Sequence, residues 1–327
     1  MTDSPGGGRS RPSYDDFPLW RRYQPYFPEE MRCTPETMPS EEWWSWRGLD
    51  VHLDRTEAKG TELKLIVLHG AGGYSRMLAP LAVLAHRHGY AALTPDLPGY
   101  GLTKAPSAML SYELWVEMVV ELIDAERQRD GIPIVLFGVS LGGYLAYQAA
   151  ARSGNVAGVI ATTLIDPRTR DARDGLSRSR LLSRLGLPAL RWLRLVADRV
   201  PTPMRHVSRM NRISNIPELA ELCLSDPLGG GNWMPARFLR TLMDTAPAIE
   251  PEDFDVCPVL LAHPGADQMT DIALSREFFE RLAREKRMVV LDGASHMPTE
   301  HPGIDQLQSA ALEFLESLKP THEETAR

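Results

Sequence analysis

The chain has 327 residues, a formal net charge of −7 and 43% apolar content. That length suffices for a sizeable core and is accommodated by one α/β domain carrying an insertion. The acidic balance argues against general nucleic-acid binding. The three cysteines, Cys33, Cys223 and Cys257, are too scattered for a disulfide framework or paired zinc ligands.

No apolar run approaches the roughly 20 residues needed to cross a bilayer, and "MTDSPGGGRSRPSYDDF" lacks the apolar stretch of a leader. A soluble, cytoplasmic protein is the expectation. Residues 1 to about 15 are rich in Gly, Pro, Ser and charge and are expected to be disordered. The rest of an arm reaching residue 40 sets Phe17, Trp20, Tyr23, Tyr26 and Phe27 between prolines, which suits an extended or short-helical segment packed on a body.

From there strands and helices alternate. "WWSWRG" and "LDVHLDR" read as a hairpin, and "LKLIVLHG" as a buried strand ending in glycine. "SRMLAPLAVLAHRHG" has helical spacing with Pro80 in its first turns. "YAALTPD" is a strand, "SYELWVEMVVELIDAERQRDG" a strong amphipathic helix, "IPIVLFG" a buried strand, "LGGYLAYQAAARSG" a helix, and "VAGVIATTLID" a sixth strand. After residues 167–252 the pattern resumes with strand "CPVLLAHPG", helix "DIALSREFFERLAREK", strand "RMVVLDG" and helix "IDQLQSAALEFLESL". Such alternation predicts a mostly parallel sheet with helices on both faces, whose chemistry collects at the carboxyl ends of the strands. Residues 41–166 and 253–318 form the expected core, 167–252 a helical cap inserted after the sixth strand, and 319–327 a flexible end.

"GVSLG" places Ser140 at a strand-to-helix junction between Gly138 and Gly142, the G-x-S-x-G pattern of a tight turn that lifts a hydroxyl above the sheet. A serine hydroxyl attacks at neutral pH only with a base beside it, and the base needs a carboxylate to orient it. His296 in "VVLDGASHMPTEHP" follows the last predicted strand and is the candidate base; His301 more simply opens the final helix, and His69 and His263 read as structural. Asp267 in "LLAHPGADQMT" also follows a strand and is the candidate acid, with Asp166 at the end of "VIATTLID" as the alternative. Asp271 reads as an N-cap, and Asp96 in "TPDLPGYG" as an organiser of its turn. The oxyanion donors expected are the backbone N–H of Leu141, at a helix start, and of Ala71, in the loop after "LIVLHG".

The set "LHGAGG", "PDLPGYGLT", "GVSLGG", "PGAD" and "GASHMPTEHP" resembles the α/β-hydrolase superfamily over roughly residues 45–318. Within it the chain is most similar to the group of monoacylglycerol lipases, lysophospholipase-like esterases and serine aminopeptidases, though its elbow reads "GVS" where "GHS" is common among the lipases. The resemblance implies an α/β-hydrolase fold and an ester hydrolase working through an acyl-enzyme, with no cofactor and no metal. A serine at position 140 speaks against the dehalogenase and epoxide hydrolase chemistries of the same superfamily, which use an aspartate there.

Other uses of the fold stay open at this stage. An aminopeptidase needs a carboxylate in the cap to bind a free amine, for which Glu218, Glu221 and Asp226 are candidates; C–C bond hydrolysis uses the same triad, and a non-catalytic binder would keep only the scaffold. "RTRDARDGLSRSRLLSRLGLPALRWLRLVADRVPTPMRHVSRMNR" holds twelve arginines against three aspartates, with leucines and Trp192 among them. A basic cap attracts an anionic substrate or an acidic membrane surface, but a solvated outer face over a buried inner one is the favoured expectation.

Overall fold

The structure, a computed structural model, describes residues 11–179 and 181–319. The disorder expected at residues 1–10 and the flexible end expected from residue 320 lie outside the described residues. Ten strands are present among the described residues: β1 (Ser40–Trp46), β2 (Leu49–Thr56), β3 (Lys64–Leu68), β4 (Ala91–Pro95), β5 (Ile134–Gly138), β6 (Gly158–Ala161), β7 (Pro201–Pro203), β8 (Trp233–Pro235), β9 (Val259–Pro264) and β10 (Lys286–Leu291). Eight of them form one sheet in the order β1-β2-β4-β3-β5-β6-β9-β10. β2 runs antiparallel to both β1 and β4, and every other pairing in this sheet is parallel. This is the mostly parallel sheet expected from the alternating pattern.

Side chains alternate across the sheet, as period-two backbone requires. Ile66, Leu68, Leu136, Val159 and Leu261 pack into one core with Trp115 of α2 (Tyr112–Asp130 after α1, Ala79–Arg87) and Tyr144 of α3 (Leu141–Ser153). Leu65, Val67, Val135, Phe137 and Leu260 enter a second core with Leu81 of α1 and, from the chain's last helix, Leu307 and Phe314. Helices therefore cover both faces. The loop after β3 leads to a helix on one face, and the turn after β5 to a helix on the other. The crevice at the carboxyl ends of β3 and β5 is thus a topological switch point, where ligands bind in open α/β sheets.

Residues 167–252 leave the sheet between β6 and β9. They hold α4 (Arg170–Leu176), α5 (Leu187–Trp192), α6 (Arg194–Ala197), α7 (Met204–Val207), α8 (Pro217–Ser225) and α9 (Ala236–Asp244). The segment contains the antiparallel pair β7–β8 as well, which a purely helical reading omits. The core then closes with α10 (Ile272–Glu280) and α11 (Gly303–Ser317). β6 stops at Ala161, five residues before the expected end, because its partner β5 runs out at Gly138, opposite Ala161, and the next two residues turn their hydroxyls to the Ser140 backbone.

The arm departs from the expectation of disorder up to about residue 15. Tyr14 is fully buried, stacked on Tyr74, and its hydroxyl donates to both oxygens of Asp96 at 2.9 and 2.7 Å. Asp96 also accepts from the N–H of Ser75 and of Leu102, which makes it the organiser of its turn. Further along the arm, Tyr23 donates to Asp226 of the inserted segment at 3.0 Å, and Tyr74 donates to the same oxygen at 2.8 Å. Short 3-10 turns carry the arm across the second core, where Trp20, Phe27 and Met31 are buried.

The arm's polar anchor has a pH signature. His52 is buried with Nε2 3.0 Å from Glu41 and Nδ1 3.2 Å from Asp96. Burial alone would depress its pKa, but hydrogen bonds to Asp96 and Glu41, with Asp54 nearby, outweigh it and raise the value to about 10. Burial pushes Asp96 upward, yet His52 and the two amides bring it down to about 2. A raised histidine stabilises the fold fully below its ordinary pKa of about 6.5 and loses that contribution as the pH climbs toward the folded value. A depressed carboxylate contributes above its ordinary value and loses its contribution only on strong acidification. His52→Gln is therefore expected to melt well below wild type near pH 6, with the gap closing toward about pH 10; a gap that stays constant across thermal melts in that range would contradict the assignment.

Candidate active site

The turn after β5 is built by close backbone approach. A Cβ on Gly138 would lie 2.1 Å from the Gly142 carbonyl oxygen, one on Gly142 2.2 Å from that of Leu68, and one on Gly143 2.2 Å from that of Thr163. Only glycine fits at these three positions. Ser140 itself has φ +57° and ψ −129°, outside the regions favoured by residues with a Cβ. Such a conformation persists only where the surroundings impose it. Val139 N–H donates to Leu68 O at 2.9 Å, Ser140 N–H to Thr162 Oγ1 at 2.8 Å, and Thr163 Oγ1 to Ser140 O at 2.8 Å.

Two other loops meet above this turn. Gly265 N–H donates to Leu291 O at 2.8 Å and Ala266 N–H to Ala294 O at 2.9 Å, so the loops after β9 and β10 are laced together. Asp267 and His296 follow directly. His296 Nδ1 lies 2.7 Å from Asp267 Oδ2, and its Nε2 lies 2.7 Å from Ser140 Oγ. The tautomer that fits carries its proton on Nδ1, donates to the carboxylate, and leaves Nε2 to accept from the serine hydroxyl. Asp267 Oδ1 accepts from the N–H groups of Met269 and Thr270 at 2.7 and 2.9 Å. Burial works to raise the Asp267 pKa, but the imidazole and these two amides hold it below the usual carboxylate value. Asp267 and His296 are almost wholly shielded from solvent.

The loop after β3 packs against the same turn, since a Cβ on Gly70 would come within 2.9 Å of Ser140 Cβ. Among the described residues, the N–H groups of Ala71 and Leu141 have no acceptor. Both residues line, with Ser140, a cavity of about 150 Å³ roofed by the inserted segment. Its walls are chiefly apolar and include Ile165, Leu176, Leu190, Leu242 and Met243. Among the described residues lining it, Arg173 is the one that is charged, and its guanidinium donates to the carbonyls of Pro167 and Met243.

The remaining candidates lie apart from the serine. Asp166 is buried against Arg168, which bridges it to Glu250, and among the described residues it has no contact with His296. His69 is fully buried, accepts from Leu97 N–H at Nε2, and burial lowers its pKa to about 4, so it stays neutral. His301 sits exposed in an ion pair with Asp305, and Asp271 caps α10 by accepting from Ala273 N–H. Glu218 and Glu221 are exposed on α8, and Asp226 is taken up by Tyr23 and Tyr74.

The family model Hydrolase_4, described as "Serine aminopeptidase, S33", matches residues 60–302, well over half of the chain. The chain belongs to this family of hydrolases. The S33 hydrolase resembles in fold a soluble variant of monoglyceride lipase from Saccharomyces cerevisiae, solved with a substrate analogue, at 17% identity and a TM-score of 0.72, over 90% of this chain and 99% of that one. It likewise resembles the monoacylglycerol lipase of Paleococcus ferrophilus at 23% identity and a TM-score of 0.65, over 81% and 99% of the two chains. Phospholipase YtpA of Bacillus subtilis (strain 168) is 29% identical over 120 residues, a match spanning 36% of this chain and 42% of that protein's length.

Three residues of the S33 hydrolase site escaped sequence reasoning. Thr162 and Thr163 hold the backbone on both sides of Ser140. Glu300 accepts from the N–H groups of Ser295 and Thr299 at 3.1 Å each and shapes the loop that carries His296. The signal for the threonines was their place directly after β6, beside the end of β5, where a hydroxyl substitutes for sheet hydrogen bonds. Glu300 had no such signal. Among the described residues no helix is long and apolar enough to cross a membrane.

Proposed function

We propose that this hydrolase cleaves carboxylic esters with an apolar acyl chain through an acyl-enzyme on Ser140. The observation that carries the reading is the hydrogen-bonded series Asp267, His296, Ser140 opening into an apolar cavity beside two unengaged N–H groups. In it, Ser140 Oγ attacks the ester carbonyl as His296 Nε2 takes its proton. Asp267 holds the imidazolium that forms, and the N–H groups of Leu141 and Ala71 receive the developing oxyanion. The protonated His296 returns the proton to the departing alcohol. Water, deprotonated by the same nitrogen, then releases the acid. Each oxyanion donor contributes on the order of 10²- to 10³-fold in rate.

The cavity chemistry favours an ester over a peptide with a free amino terminus. An aminopeptidase site offers a carboxylate to the substrate ammonium, whereas Arg173 is the charged residue among the described ones lining this cavity and the three acidic candidates of the inserted segment lie elsewhere. The test is a panel of p-nitrophenyl esters of increasing chain length, monoacylglycerols and an aminoacyl anilide. Turnover is expected to rise with acyl length and then fall once the cavity is filled, with the anilide at least about a hundredfold poorer, a margin set by leaving an ammonium unpaired in an apolar site. Faster turnover of the anilide than of any ester would overturn the ester reading.

A further inference from the structure

Large apolar side chains exposed to solvent are concentrated on the inserted segment. Of nine such residues among the described ones, seven lie there: Leu181, Leu185, Trp192, Leu193, Val196, Val200 and Trp233. Trp192 is 85% exposed and Val196 74%. An isolated exposed leucine is ordinary, but a run of this kind rimmed by charge marks a contact surface. Leu181 and Leu185 precede α5, Trp192, Leu193 and Val196 lie along α5 and α6, Val200 leads into β7, and Trp233 lies on β8 opposite Pro203.

The charge beside it is basic. Residues 167–252 contain fourteen arginines, no lysine and nine carboxylates, within a chain of net charge −7. Arg194, Arg199, Arg237 and Arg240 line an open cavity of about 400 Å³ together with Asp198. Arg240 is paired with Asp198 through both guanidinium nitrogens, and Arg237 donates to the Ala108 carbonyl. Among the described residues, Arg194 and Arg199 have no acidic partner within ion-pair distance. One carboxylate among four guanidinium groups leaves a site selective for anions, and guanidinium groups match phosphate oxygens in pairs.

The helices that carry this surface also wall the catalytic cavity. α5 contributes Leu190 to it, and α9 contributes Leu239, Leu242 and Met243, while Arg237 and Arg240 of α9 line the basic cavity. Outer surface and catalytic cavity are thus separated by one layer of helix.

We infer that this face docks on an anionic phospholipid bilayer, with a lipid phosphate in the Arg194–Arg199–Arg237 cavity and Trp192, Val196 and Trp233 in the headgroup layer. Exposed aromatic and aliphatic groups supply apolar burial at the interface, and the arginines supply attraction to the negative leaflet. The acidic remainder of the chain turns this face toward the surface.

The experiment is co-flotation of the full chain with phosphatidylcholine vesicles, with and without phosphatidylglycerol, at low and at moderate salt. The chain is expected to float with the phosphatidylglycerol vesicles at low salt and to be released by salt. Arg194→Gln/Arg199→Gln/Arg237→Gln is expected to weaken partition about a hundredfold at low salt. Trp192→Ser/Trp233→Ser should abolish quenching of tryptophan fluorescence by brominated phosphatidylglycerol. Both variants should keep wild-type turnover of a soluble short-chain ester, which shows that they fold. No flotation at low salt, equal flotation on both vesicle types, or full retention by the variants would overturn the proposal. So would a dimer in light scattering that the tryptophan variant dissociates, or glycerophosphate protecting the arginines in a chain that never floats.

Discussion

Ser140→Ala is expected to lower kcat on the best ester by about 10⁶-fold while leaving KM and the melting temperature close to wild type, because the members of such a triad act as a unit. The variant keeps a side chain with a Cβ at the same positive φ, so the backbone strain is unchanged and only one hydrogen bond, to His296 Nε2, is lost. In the proposed mechanism, what activity remains is the part that the N–H groups of Ala71 and Leu141 and the cavity supply by binding alone. Active-site titration with a fluorophosphonate separates this from contamination: wild type incorporates one equivalent with the mass of the adduct on the peptide carrying Ser140, and the variant none. Turnover by the purified variant above a small fraction of wild type would remove the serine from the mechanism.

Asp267→Asn and Asp166→Asn form the second contrast. At Asp267 the amide oxygen still accepts from Met269 and Thr270 N–H, and the amide nitrogen then points a donor at His296 Nδ1. The imidazole is forced into the tautomer with its proton on Nε2, facing a hydroxyl whose proton it no longer accepts. A loss of about 10⁴-fold in kcat is the magnitude known for this change in a triad. At Asp166 the same substitution breaks a buried ion pair with Arg168 and costs stability, because one charge is left beside a neutral partner. Its kcat should stay within about tenfold of wild type, as for a group that touches none of the reacting atoms. Kinetics and thermal melts on the two variants read the two effects apart; a larger kcat loss in Asp166→Asn than in Asp267→Asn would transfer the acid's role to Asp166.

Most of the sheet was legible because its strands are short apolar runs bounded by glycine or proline. "LKLIVLHG" and "IPIVLFG" announce β3 and β5, and the loops after them carry the glycines that the close approaches around Ser140 require. Asp267 and His296 were legible as polar residues directly after strands, and the structure brings both to Ser140. The end of β6 was not, since "VAGVIATTLID" continues as a strand by composition and ends where its partner β5 runs out at Gly138. Tyr14 was misread for a different reason. Its neighbours in sequence are polar and flexible, and its burial is decided by Asp96, 82 residues away. β7 and β8 are three residues each with prolines at their ends, below the length at which periodicity has meaning. The turns of the inserted segment, crowded with arginine and proline, offered no dominant period either.

The arm's tyrosines bear on how such an enzyme diversifies. One end of the arm is fastened to the catalytic body at Asp96, and the other to the inserted segment at Asp226, which Tyr74 grips as well. Transplanting residues 167–252 alone onto a scaffold that lacks these tyrosines would leave the buried Asp226 Oδ2 without its tyrosine donors, with Leu228 N–H still donating to Oδ1. Exchange of substrate preference among homologues would therefore have to move two separated stretches of gene together, the segment that roofs the cavity and the strap that ties it down.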